Sequence, residues 1–384
     1  MGQPPKEHSY DVVVIGAGVI GLSCAWRIAA SGLSVAVIDR AGPGAGASGV
    51  AAGMLAPATE ADFGGQGLLA LNLASAARWP GFGADLSERS GREAGHVQSG
   101  ALTVAVDRDD AEELARLHAF QLDLDLDARM LTRSECRELE PGLAPGIAGG
   151  VLTPEDGFVE PRALAAALAV AIDADGGELI IAMEPEIEVT GGRVTGVQTL
   201  AGPFKADNVV LAAGAWSAEV AGLPPEAIPP VRAVKGQILR LRASGAPPAS
   251  RILRTPRCYI VPRAGGEVVI GATMEERGDS HVTAGGVREL LEAAWEVLPE
   301  TDELKLAETA AGLRPATPDG LPLVGRSAID GLILATGHHR NGILLAPSTA
   351  DGVAALCNGQ AMDPALAACD PARLVAAPRV EASP

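Results

Sequence analysis

Residues 11–39 read DVVVIGAGVIGLSCAWRIAASGLSVAVID, and this stretch decides the fold. Asp11–Ile15 is an unbroken β-branched run, the signature of a parallel strand buried on both faces. Gly16, Gly18 and Gly21 follow in G-x-G-x-x-G spacing. Leu22–Ala30 then carries apolar residues at helical intervals, with Gly32 as its stop, and Ser34–Asp39 (SVAVID) is the second strand. The glycines let the chain bend sharply, let backbone touch a pyrophosphate and let the helix pack tightly on the strand. The helix N-terminus offers free donors and a positive dipole end. Asp39, at a strand end, is placed to accept ribose hydroxyls. Strand, turn, helix, strand and acid fall where a dinucleotide fingerprint requires them, although the fingerprint does not tell NAD from FAD. A glycine-rich turn with no ligand is the bland alternative.

Outward from this unit the pattern changes several times. Residues 42–54 (GPGAGASGVAAGM) are too rich in glycine and alanine for a regular strand, and read either as a loop or as backbone that approaches something closely. A polar stretch over 86–150 holds a helix near 109–120. Pro161, suited to a first helical position, opens an alanine-rich helix over 162–174, and 178–182 (ELIIA) is a strand. Short strands meander through 186–206, and Asn208–Ala213 (NVVLAA) is another strand. Residues 258–262 and 267–274 flank Arg263-Ala-Gly-Gly266 as a hairpin. Apolar residues at 287, 290, 291, 294, 295 and 298 predict a helix with one buried face. Residues 332–335 (LILA) form a strand, and 336–342 lead into a helix over 343–356. The pattern predicts an α/β chain, α+β overall, with a discontinuous nucleotide domain (1–85, 150–225 and 312–384) and an inserted domain (86–149 and 226–311).

Composition narrows the roles. The chain has 384 residues, 47% of them hydrophobic but only 3% aromatic, so aliphatic side chains must fill the core. Its formal charge of −18 repels phosphate backbones and anionic bilayers, which argues against nucleic-acid and membrane partners. An anionic substrate therefore needs local positive charge. The five cysteines are widely spaced without a CxxC pair, and the histidines offer only the adjacent pair His338–His339, so no disulfide framework and no metal site is expected. No apolar run is long enough to span a bilayer. The polar start, residues 1–9 with Lys6 and Glu7, reads as a frayed terminus, and a reducing cytoplasm fits the whole.

Seven stretches carry a resemblance: VVVIGAGVIGLSCAWRIA (12–29), AAGMLAPATE (51–60), VVLAAGAWS (209–217), CYIVPR (258–263) with VVIGATM (268–274), AGLRPATPDGLPLVGR (311–326) and GHHRNGILLAP (337–347). They resemble the D-amino-acid oxidase superfamily of flavoproteins, most closely its glycine oxidase branch. The resemblance implies a Rossmann-like FAD domain with an inserted antiparallel-sheet substrate domain, and FAD held without a covalent bond, since no cysteine stands in the context that attaches flavin in sarcosine oxidases.

The resemblance also implies roles. Gly16, Gly18, Val19, Ile20 and Gly21 in the turn, with Asp39 and Arg40, would hold the ADP half. Ala47, Ser48, Ala52, Gly53 and Met54 would run under the ribityl and flavin, Glu186 would meet the adenine end by its backbone, and Gly214 belongs to the same set. His338, His339, Arg340, Asn341, Gly342, Ile343 and Leu344 would wrap the pyrimidine side of the ring, with 342–344 opening a helix whose N-terminus stabilises the anion formed on reduction. Arg314 would grip the substrate carboxylate by its bidentate fork. An arginine in an acidic chain is ordinarily a surface partner of Asp or Glu; the motif around Arg314 points instead to a ligand clamp. Arg340 matches a position that helps bind substrate, and Met274 would line the pocket. Tyr259 either hydrogen-bonds the carboxylate or packs in the core. Arg257 stands where the relatives lead one to expect histidine, and either strengthens carboxylate binding or points outward.

No acid–base residue is expected to be catalytic. The resemblance implies hydride transfer from the substrate α-carbon to flavin N5, with O2 reduced to H2O2 and an imine or oxo acid with ammonia as product. The amine is glycine, sarcosine or a small D-amino acid. It further implies a homo-oligomer, a tetramer in relatives, and a setting in thiamine thiazole biosynthesis. The competing readings are a D-amino-acid dehydrogenase that passes electrons to a quinone or carrier, and a non-catalytic FAD-binding protein.

Overall fold

The structure, a computed structural model, describes residues 8–61 and 65–375. Most of the terminus expected to fray, including Lys6 and Glu7, lies outside the described residues. His8 and Ser9 do not fray: strand β1 runs His8–Ile15, because His8 pairs with Phe204 and their rings stack at 5.4 Å. Helix α1 (Val19–Ala30) and strand β2 (Val35–Asp39) complete the first unit.

Helix α2 (Pro161–Ala174) leads to β3 (Glu178–Ile181), which adds parallel to β2. Strand β4 (Gly202–Leu211) lies parallel to the other side of β1. The expected 186–206 meander is present, Glu186–Thr190 with Arg193–Thr199 and then the start of β4, each antiparallel to the next; the strand expected at 208–213 is the second half of β4 and not a separate element. Within β4, Phe204 and Lys205 are paired on both edges, by Arg193–Thr199 and by β1, which keeps the strand extended. Leu332–Thr336 then adds parallel to β4 and Leu323–Arg326 closes the edge. Val12, Val13 and Val14 are fully buried between helices and hairpin, each worth about 1.5–3 kcal/mol relative to exposure.

A second eight-stranded sheet begins at β5 (Arg232–Arg242) and continues through β6 (Ile252–Arg254), β7 (Tyr259–Pro262), β8 (Glu267–Gly271) and β9 (Lys305–Ala316). Its order is β9–β5–β8–β7–β6, then Ala101–Ala105, Gly149–Thr153 and Arg129–Thr132. Gly149–Thr153 and β9, which straddle the division points read at 149/150 and 311/312, both pair in this sheet. The helix read over 287–298 starts earlier, at Ala284, because the Thr283 hydroxyl accepts from Gly286 N and caps it. Its Leu290, Ala294 and Val297 bury against Leu239, Leu241 and Ile270 of the sheet.

Candidate functional site

One cavity of about 1090 Å³ runs from the turn after β1 to the face of the second sheet. It is at the upper end of what ligand pockets reach.

At its first end the backbone does most of the work. Gly16 sits at φ +109°, and a Cβ there would stand 2.5 Å from the Ala212 carbonyl. At Gly21 a Cβ would come within 1.9 Å of the Gly16 carbonyl, so Gly21 closes the turn by packing and does not itself line the cavity. Gly18 precedes α1 without a side-chain cap of its own; the Ser48 hydroxyl accepts from Val19 N at 2.9 Å. The Asp39 carboxylate accepts from Ala17 N on one oxygen and from Ala41 N and Gly42 N on the other. Three of its roughly four lone-pair sites are thus taken, leaving room for one further donor where two ribose hydroxyls were expected. The Arg40 guanidinium lies over the Trp216 ring at 4.2 Å, and Glu186 and Gly214 line this end too.

The 42–54 stretch resolves in favour of close approach. It forms a short helix, Ala47–Val50, and then Met54–Leu55 pairs with Gly157–Phe158. Ala47, Ser48, Ala52, Gly53 and Met54 all line the middle of the cavity.

The far end is assembled by strand register. Tyr259 is opposite Gly271 across β7 and β8, and a Cβ on Gly271 would strike the Tyr259 hydroxyl at 2.3 Å. Arg314 is opposite Val234 across β9 and β5, and a Cβ on Gly236 would strike its Nη2 at 2.3 Å. Two glycines therefore make room for a phenol and a guanidinium beside the sheet; Tyr259 lines the cavity and also packs against the cluster around Ile238 and Val261. Arg314 Nη1 donates to the Thr273 carbonyl at 3.1 Å. Among the described residues no carboxylate stands within 4 Å of this guanidinium, and burial lowers its pKa without removing the charge. Burial likewise raises the Tyr259 pKa, so the phenol keeps its proton. Met274, more than half exposed, lines the mouth. Its loop is tied down by buried Lys235, whose Nζ is 3.2 Å from Glu275 and 3.1 Å from Asp279.

The 338–344 segment also lines this end through His339 and Arg340. His338 is buried with Nε2 3.0 Å from Thr349 Oγ1, and His339 takes a left-handed φ of +47° while its N–H donates to the Pro315 carbonyl. Burial pushes His338 down to about 3; burial, then the Arg314 and Arg340 charges, push His339 to about 4, so both rings are neutral at pH 7. Gly342 and Ile343 line the cavity, whereas Asn341 and Leu344 do not. The Leu344 carbonyl is taken by Ser75 and Trp79. Nor do residues 342–344 open the regular helix. It starts at Ala346 with Pro347 in its first turn, and 342–345 form a preceding turn closed by Leu345 N to the Asn341 carbonyl. Pro347 lacks an N–H, which suits a helix start.

Several lining residues were not expected from the sequence, Glu60 and Trp216 among them. Glu60 meets Arg340 at 3.2 Å and Arg254 at 3.8 Å, and Trp216 supports Arg40. Each sits inside a motif already quoted, where a polar or aromatic side chain interrupts small residues, and that was the available signal. Arg257 is among the residues lining the cavity, and its guanidinium pairs with Glu296 at 2.8 Å, both half-exposed. Of the five cysteines only Cys258 lines the cavity, and burial raises its thiol pKa. Among the described residues no cluster of three His, Cys, Asp or Glu is placed to hold a metal, and no helix is long and apolar enough to cross a membrane.

The sequence signature of the family described as FAD dependent oxidoreductase (DAO) matches residues 11–356. The chain is 36% identical over 351 residues to the glycine oxidase of Geobacillus kaustophilus (strain HTA426), covering 89% of this chain and 91% of that one. It is 37% identical over 365 residues to the bifunctional protein ThiO/ThiG of Trichormus variabilis, covering 93% of this chain and 54% of the longer relative. The crystal structure of the Geobacillus kaustophilus glycine oxidase superposes with a TM-score of 0.87, covering 94% and 98% of the two chains.

Proposed function

This chain belongs to the DAO family of FAD-dependent oxidoreductases, and from that premise we propose that it oxidatively deaminates glycine, and small amines of the same shape, with O2 as acceptor. The observation that carries this reading is Arg314: a partly buried guanidinium with no carboxylate partner among the described residues, in the same cavity as a dinucleotide turn.

The cavity fits FAD on its own features. The α1 N-terminus and the Gly16 turn suit a pyrophosphate, Asp39 keeps one acceptor site for a ribose hydroxyl, and the 46–54 loop gives a backbone wall for a flat ring. FAD, when bound, supplies the acceptor for a hydride and its electron pair. The protein's part is orientation. Arg314 anchors the carboxylate by its fork and the protonated Tyr259 phenol donates beside it. Two neutral histidines and the sheet floor keep the reacting end dry. A small amine is thereby held in one pose, and orientation of this kind replaces acid–base catalysis.

We take the first sheet and its helices as the FAD unit and the second sheet as the substrate unit. The fused ThiO/ThiG relatives support a place in thiamine thiazole synthesis for the imine product. The test is a peroxide-coupled screen of glycine, sarcosine and D-alanine on purified yellow protein. Stoichiometric H2O2 from glycine is the expected result. Anaerobic bleaching without peroxide under air would instead mark a dehydrogenase, and no bleaching with any amine would leave only a binding protein.

A further inference from the structure

The 46–54 loop, which walls the middle of the cavity, is held from behind by three arginines that do not line the cavity themselves. Arg162 Nε donates to the Gly49 carbonyl at 2.9 Å and Arg240 Nη2 to the same oxygen at 3.3 Å. Arg263 Nη2 donates to the Ala52 carbonyl at 2.7 Å. They come from three places: α2 in the first unit, β5 in the second sheet, and the residue that follows β7. The side chains of Arg240 and Arg263 are 2% and 3% exposed.

Carboxylates complete the network. Arg263 pairs with Glu160, Arg240 lies 3.3 Å from Glu267 and 3.8 Å from Glu308, and Arg162 makes a two-pronged contact with Glu308. Buried ion pairs are a poor source of net stability, because desolvation offsets the attraction; their better-attested use is to specify geometry. The geometry here is particular. With the Gly49 and Ala52 carbonyls turned back toward guanidinium groups, the same short stretch offers Val50, Ala51 and Ala52 to the cavity.

We propose that Arg162, Arg240 and Arg263 are positioning residues for FAD. They fix the carbonyls of Gly49 and Ala52 away from the ring site, so the loop is set before the cofactor arrives and binding need not order it. The inference rests on the FAD reading above and goes beyond it by assigning cofactor affinity to side chains that never touch the cofactor.

The experiment is an FAD titration of apoprotein, followed by quenching of flavin fluorescence, for wild type, Arg263→Met, Arg263→Lys and Arg162→Met. Loss of a charge-assisted hydrogen bond to the loop should raise the FAD Kd about tenfold for Arg263→Met and about threefold for Arg162→Met. Arg263→Lys, which keeps the charge and one donor, should recover most of the loss. Where Arg263→Met gives no soluble protein, Arg162→Met decides, since its side chain is half exposed and the fold does not rest on it. Kd values within twofold of wild type for the methionine variants overturn the proposal, as does an Arg263→Lys variant no better than Arg263→Met. A wild-type apoprotein that takes up no FAD overturns the cofactor reading itself, an outcome the wild-type control separates from the others.

Discussion

The two ends of the cavity are built by different means. At the dinucleotide end a single contiguous run of 29 residues makes the strand, the turn, the helix and the acid, and most polar contacts there are backbone ones. At the substrate end nothing is contiguous. Arg314, Tyr259 and Glu60 come from three separate stretches and meet only because sheet register and a tight turn bring them together. A backbone-built site tolerates side-chain change; a register-built site depends on a few side chains and the glycines that make room for them.

The sharpest way to break this contrast is Arg314→Met. It should raise the KM for glycine roughly 10- to 100-fold, the worth of a charge-assisted fork, while FAD affinity stays put. Loss of FAD along with substrate would mean the ends are not separable. Asp39→Ala tests the other end. FAD Kd should rise about tenfold with the glycine KM at saturating FAD unmoved, since one carboxylate orders the turn and keeps an acceptor site open beside it. A smaller probe is Gly236→Ala, whose methyl would displace the Arg314 fork; a rise in KM of about fivefold is expected, and an unchanged KM would show that the niche is not needed.

The smallest effect is in pH. His338 and His339 have folded pKa values of about 3 and about 4, below the unfolded value of about 6.5. The unfolded chain therefore takes up their protons first. The stability they support is present in full above pH 6.5 and is lost as pH falls from there toward 4. His339→Phe should flatten the fall in urea midpoint between pH 7 and 5; an identical fall in the variant would discard the assignment.

The contrast also explains what could be read from the sequence. The first unit, the hairpin after β7 and the α2–β3 pair were legible because periodicity and turn chemistry are local. The expectation of a carboxylate clamp at Arg314 came only from its motif. Glu60 and Trp216 stayed hidden because their importance lies in what faces them from distant strands. The helix start at Ala346 was misplaced by three residues because a turn closed by Asn341 looks helical in sequence. The arginines behind the 46–54 loop were invisible for the same reason as Glu60: nothing local marks a guanidinium as buried.

Trp216 has a use beyond supporting Arg40. Of the four tryptophans it alone lines the cavity; Trp26 and Trp79 are sealed in the core and Trp295 sits on a surface helix. The emission of this indole is therefore an optical gauge native to the Arg40 end of the cavity, and occupancy there can be followed by light without any label.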